Sequence, residues 1–89
     1  MAKGKPTNHM GQLIYMELAE ESDGNQKTLA RVALNVAGHF NDYPVALNEI
    51  SNGLSWEEFH AVLDLLALQQ NASIRWGEAH MARLRKWAE

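Results

Sequence analysis

Residues 26–40, QKTLARVALNVAGHF, decide how the rest of the chain is read. Leu29, Val32, Ala33, Val36, Ala37 and Phe40 recur at i, i+3, i+4, i+7, i+8 and i+11, the spacing that lines side chains along one buried face of an α-helix. The alanines on that face allow a neighbouring helix to approach closely, and Gly38 is expected to serve the same end. NDYP at 41–44 stops the helix. SDGN at 22–25 precedes it, with Asp23 and Gln26 at the three-residue spacing of a capping box.

Toward the amino terminus, a helix is expected from His9 or Met10, with Met10, Leu13, Ile14 and Leu18 inward and Glu17, Glu20 and Glu21 toward water. Residues 1–8 are polar, contain Gly4 and Pro6, and are expected to form a mobile arm, leaving 9–89 as a single helical domain. Toward the carboxyl terminus, Pro44 suits the first turn of a short helix through PVALNEI, with Val45, Leu47 and Ile50 inward and SNG at 51–53 as its end.

NGLSWEEF at 52–59 is the most specific local signal. Ser55 can cap a helix reciprocally with Glu58, and Leu54 can form a hydrophobic staple with Phe59. That helix continues through HAVLDLLALQQ, with Trp56, Phe59, Val62, Leu63 and Leu66 expected inward. Leu65 and Leu68 point elsewhere, so the helix is either central or touches a partner. Asn71 or Ser73 is expected to cap a last helix, in which Trp76, His80, Arg83 and Trp87 share one side and Gly77, Met81, Leu84 and Ala88 form an adjoining stripe. The expectation is an all-α fold: a small compact bundle of four to five helices, with a short helix after Pro44.

Eighty-nine residues at 46% hydrophobic content fit one domain with a modest core, to which a homodimer interface would add buried area. With no cysteine there are no disulfides, thiolate chemistry or cysteine-based zinc sites. The opening MAKGKPTNHMGQ has no apolar leader core, and no run approaches the roughly 20 apolar residues of a membrane span. A cytoplasmic location without membrane contact is the default expectation. The net charge of −3 is unevenly spread: residues 17–71 carry nine acidic groups against two basic, while both ends are net positive. Such an acidic body repels phosphate and attracts a basic partner surface.

The closing run RWGEAHMARLRKW at 75–87 raises the question of a nucleic-acid grip. Basic groups would have to converge on one exposed face. Arg75, Arg83 and Lys86 are instead spread around the helix, and Arg85 departs from the face of the tryptophans. A membrane-surface helix would need a cleaner split and more cations. A helix-turn-helix reading pairs 26–40 with 44–50, or 44–50 with 55–69. PVALNEI has no arginine or lysine, and SWEEFHAVLDLL opens with two glutamates where phosphates would approach.

Four histidines, His9, His39, His60 and His80, raise the question of metal, but none stands in an HExxH motif. His60 and Asp64 at i, i+4 could coordinate together, with Glu57 one turn earlier; a transition metal ordinarily takes a third protein ligand, for which tertiary assembly would have to bring His39 or His80 near. A histidine hydrogen-bonded to Asp64 is the simpler expectation. No serine or threonine sits in a nucleophile turn, and there is no glycine-rich phosphate cradle, so no catalysis and no cofactor are expected. Protein binding is the positive reading. Leu65, Leu68, Tyr43, Trp76 and Trp87 are its apolar anchors, each with a competing core role, and Glu57, Glu58 and Asp64 are groups for a basic partner.

The stretch LAEESDGNQKTLARVALNVAG, the acidic-apolar helix after it and the terminal RLRKW resemble a family of short helical proteins of bacterial genomes and mobile elements. The resemblance runs from Leu18 to the end. Asn25-Gln26 stands where that family more typically has Gly-Gln. The family carries no established activity, so the resemblance implies no catalytic residue. It implies a phage or plasmid accessory factor that modulates a host protein. The function expected from the sequence is therefore a small acidic protein-binding regulator. A nucleic-acid-binding regulator using Arg75, Arg83, Arg85 and Lys86 is one alternative, and a structural homodimer is the other.

Overall fold

A computed structural model describes residues 9–89; the arm expected at 1–8 lies outside the described residues. Among the described residues the fold is an all-α bundle of five helices: α1 His9–Glu20, α2 Gln26–Leu34, α3 Leu47–Gly53, α4 Trp56–Asn71 and α5 Glu78–Ala88. One cluster of buried side chains joins α1, α2, α4 and α5 through Tyr15, Leu29, Leu34, Val62, Leu65 and Leu84. α2 packs most extensively against α5, and α1 lies against α4.

The face of α2 follows its periodicity in part. Leu29, Val32 and Ala33 are buried, joined by Ala30 and Leu34, whereas Phe40 is exposed. The reason lies in the backbone: after Leu34 the helix widens into a π-type turn at Asn35–His39, which rotates later residues off the face. Gln69 Nε2 donates to the carbonyl of Val36 at 2.9 Å and supports that turn. Gly38 is the left-handed residue there, at φ 109°, with open space around the position of a Cβ. It therefore ends the helix rather than admitting a neighbour. Gly38→Ala is expected to lower stability by about 1–2 kcal/mol through the backbone alone. An unchanged melting temperature would mean that the left-handed turn does not form.

Of the helix starts expected from the sequence, that of α4 agrees and those of α2, α3 and α5 differ. Ser55 and Glu58 form the reciprocal capping box of α4. At the start of α2 the N-cap is Asn25, with no side-chain cap bond. Gln26 instead reaches back to the carbonyls of Ala19 and Glu20 at 3.1 and 3.2 Å, satisfying the end of α1. The helix after Pro44 begins only at Leu47, because Ala46 is extended, and it runs on through SNG. Of its apolar residues Val45 and Ile50 are half-buried, but Leu47 is exposed.

Two faces are rotated relative to expectation. In α1 the buried residues are Gln12, Tyr15, Met16 and Ala19, while Met10, Leu13 and Ile14 face outward. In α4 they are Val62 and Leu65, while Trp56, Leu63 and Leu66 are exposed. Polar partners explain the first rotation. Tyr15 Oη donates to the carbonyl of Leu29 at 2.7 Å, and burial pushes the phenol well above its ordinary pKa. Gln12 clasps the backbone of one residue: its Nε2 donates to the carbonyl of Arg75, and its Oε1 accepts from the Arg75 N–H at 2.9 Å.

Residues 72–77 run extended between α4 and α5, so neither Asn71 nor Ser73 caps the last helix; its N-cap is Gly77. Ala72, Ile74 and Trp76 are buried within this strap. The Trp76 indole Nε1 donates to the carbonyl of Ala33 at 2.9 Å. Leu84 and Ala88 of α5 are buried as its stripe implies, and Arg31 Nε donates to the Ala88 carbonyl at 3.2 Å, placing a cation at the helix's negative end.

Candidate functional site

The rotation of α1 and α4 leaves a cleft between them. Its volume is about 450 Å³, within the range of pockets that accept ligands or side-chain anchors. Tyr15 and Leu65, both buried, form its base, with half-buried Leu18, Ala61 and Leu68 beside them. Ile14 forms one wall at 60% exposure, and Trp56 stands at the other at 75%. Glu57, His60 and Asp64 complete the α4 side, all exposed. The rings of Trp56 and His60 lie 4.3 Å apart between centroids and tilted at 58°, so His60 packs against the tryptophan in a tilted contact instead of bonding to Asp64.

Local sequence explains this arrangement. The capping box starts α4 at Trp56, placing that large ring in the first turn, where no earlier helical turn lies beneath it. Glu57 and Asp64 follow seven residues apart and therefore share one edge of the helix. On the α1 side Ile14 stacks over Met10 at i, i+4, so exposed apolar surface continues from the cleft wall toward the start of the helix.

The residues selected from sequence divide clearly. Glu57, Asp64, Leu65 and Leu68 come together at the cleft. Tyr43, Trp76 and Trp87 do not: Trp76 is only 8% exposed, and Tyr43 and Trp87 are half-buried against the core. The backbone of Tyr43 is also held, its carbonyl accepting from Asn35 Nδ2 at 3.0 Å.

Glu58 faces the α1–α2 turn instead of the cleft. Its carboxylate accepts from Ser22 Oγ, from Asn25 Nδ2 at 2.7 Å and from the Ser55 N–H at 2.9 Å. Burial raises its pKa, but the bonds from Ser22, Ser55 and Asn25 outweigh that and hold it below the ordinary carboxylate value. A depressed folded-state pKa contributes stability above the unfolded-state pKa, and the contribution is lost as pH falls through the folded value. Glu58→Gln is therefore expected to flatten part of the loss of melting temperature as pH falls from the ordinary carboxylate pKa through the lower folded value. Superimposable pH profiles for both proteins would contradict the network.

The cations of the alternative reading stay apart. Arg83 pairs with Glu20 at 3.3 Å on the surface, a contact of small energy. Arg75 is exposed and sits in the extended strap, and Arg85 and Lys86 occupy the last turn of α5, where positive charge favours the helix dipole. Among the described residues no group of three or more His, Asp or Glu side chains is placed to hold a metal ion, and no helix is long and apolar enough to cross a membrane.

The α1 half of the site was missed: Gly11, Ile14, Tyr15 and Leu18, together with Trp56, His60 and Ala61. The available signal was that α1 carries two competing stripes, 10–13–14 and 12–15–16–19, only one of which the core can take. No family model, curated protein or solved structure matches this chain.

Proposed function

We propose that the protein is a small acidic accessory or regulatory factor that binds another protein and acts by occupying that protein's surface, without catalysis. The observation that carries this reading is the open apolar cleft between α1 and α4, with Ile14 and Trp56 standing exposed beside it. Large apolar side chains beside a preformed depression are the usual material of interface anchors. The resemblance of residues 18–89 to short mobile-element proteins supports a phage or plasmid origin and a host protein as target.

The test is affinity capture from lysate after nuclease treatment, with three baits: the native chain, Ile14→Lys and Trp56→Ala. Both substitutions alter exposed side chains and leave the buried cluster intact. A stoichiometric protein retained by the native bait and lost from both variants supports the reading. A protein retained equally by all three overturns the assignment to this cleft. Capture abolished by nuclease, and weakened by Arg85→Ala or Lys86→Ala, would transfer the function to nucleic-acid binding. Bait alone with doubled solution mass would leave the structural homodimer.

A further inference from the structure

We infer that the α1–α4 cleft takes a third helix: an amphipathic segment of about three turns whose apolar stripe is edged by lysine or arginine. The inference rests on the protein-binding reading above and specifies the partner.

The two walls of the cleft match the shape of a helix. On α4, besides Trp56, His60 and Leu65, the lining includes Glu57, Ala61, Asp64 and Leu68, spaced four, three and four. On α1, besides Tyr15, it includes Gly11, Ile14 and Leu18, spaced three and four. The α1 step averages 3.5 residues and the α4 step, 11 residues over three, about 3.7; both lie close to the helical period of about 3.6, so each set keeps one line toward the groove, where another helix can set its side chains. Both walls carry such a seam toward the same groove. From Trp56 to Leu68 the α4 wall runs roughly 18 Å at 1.5 Å per residue, the length of about three helical turns.

Charge along the α4 wall selects the partner's edge. The α4 seam alternates acid with apolar residue, and Glu57 and Asp64 lie roughly 10 Å apart along one edge. Both are exposed, and the described lining contains no lysine or arginine. Lysines or arginines seven residues apart on the incoming helix match that spacing. A second copy of this chain is the poorer occupant. Pairing across this face would bring two sets of Glu57 and Asp64 around one apolar seam, with the His60 side chains as the lining's basic groups.

The probe is a stapled helical peptide of about 14 residues, with leucines at heptad spacing and two lysines seven apart on one edge. Its control carries glutamates at those two positions. Binding to the full chain is read from the methyl resonances of Ile14, Leu18 and Leu68 and the indole N–H of Trp56. The expected result is saturable binding of the lysine peptide, with shifts confined to those groups. Changing Glu57→Gln with Asp64→Asn should weaken it about fivefold, and added salt should weaken the native complex more than the variant's.

Equal binding of the glutamate peptide overturns the inference. So do groove signals that move with protein concentration alone, which assign the face to a second copy. Signals that move with Lys3→Glu and Lys5→Glu in the peptide-free chain also overturn it, assigning the groove to this chain's own amino-terminal segment. If the lysine peptide fails while capture still depends on Ile14 and Trp56, the basic helix falls and protein binding stands. If capture loses that dependence as well, both fall.

Discussion

Trp76→Ala is expected to lower stability by about 3–5 kcal/mol, whereas Trp56→Ala should cost less than about 1 kcal/mol. The side chains are chemically identical, so environment alone separates them. Trp76 is 8% exposed, lies 6.3 Å from the Tyr15 ring and donates its indole N–H to Ala33. Removing it opens a cavity beside α2 and withdraws a buried hydrogen bond. Trp56 is 75% exposed and loses mainly its packing against His60. A domain of this length has a total stability of roughly 4–13 kcal/mol, so the Trp76 variant should be partly unfolded without denaturant. Urea titration followed by circular dichroism measures both variants. Equal losses would mean that the strap at 72–77 is not docked.

Leu65→Ala against Leu66→Ala tests the rotation of α4. Leu65 is 2% exposed at the centre of the helix and should cost about 2–5 kcal/mol. Leu66, exposed on the neighbouring face, should cost under about 1 kcal/mol. Successive residues in a helix differ by about 100°, so a reversed pattern would place the helix in the rotation that sequence periodicity favours. Midpoint shifts at constant denaturant slope would show that only stability has changed.

The contrast shows how far periodicity reaches. The α2 face was legible because apolar residues occupy one stripe and Lys27 and Asn35 lie off it. The start of α4 was legible because a capping box is local chemistry, complete within four residues. The face of α4 was not, since leucines at 63, 65, 66 and 68 surround the helix and any of several rotations buries two of them. In α1 the more hydrophobic stripe lost to one containing Gln12 and Tyr15. Their polar atoms are satisfied by Arg75 and Leu29, partners that only the folded chain supplies. The cleft inherits this division: its α4 edge, Glu57, Asp64 and Leu68, was visible in the sequence, and its α1 wall depended on a rotation set by tertiary hydrogen bonds.

The Gln12 clasp on the Arg75 backbone has a kinetic consequence. It fastens the first helix to the strap before the last one, across 63 residues of chain. A contact of that separation forms late in folding, because most of the intervening chain must already be placed. Once made, it ties the two ends of the fold into one opening unit. Amide protons of α1 and of residues 72–77 should exchange with similar free energies, close to that of global unfolding, instead of fraying independently as terminal segments usually do. The Ile14 wall of the cleft would then be as long-lived as the core itself, and a partner would meet a surface that is already formed.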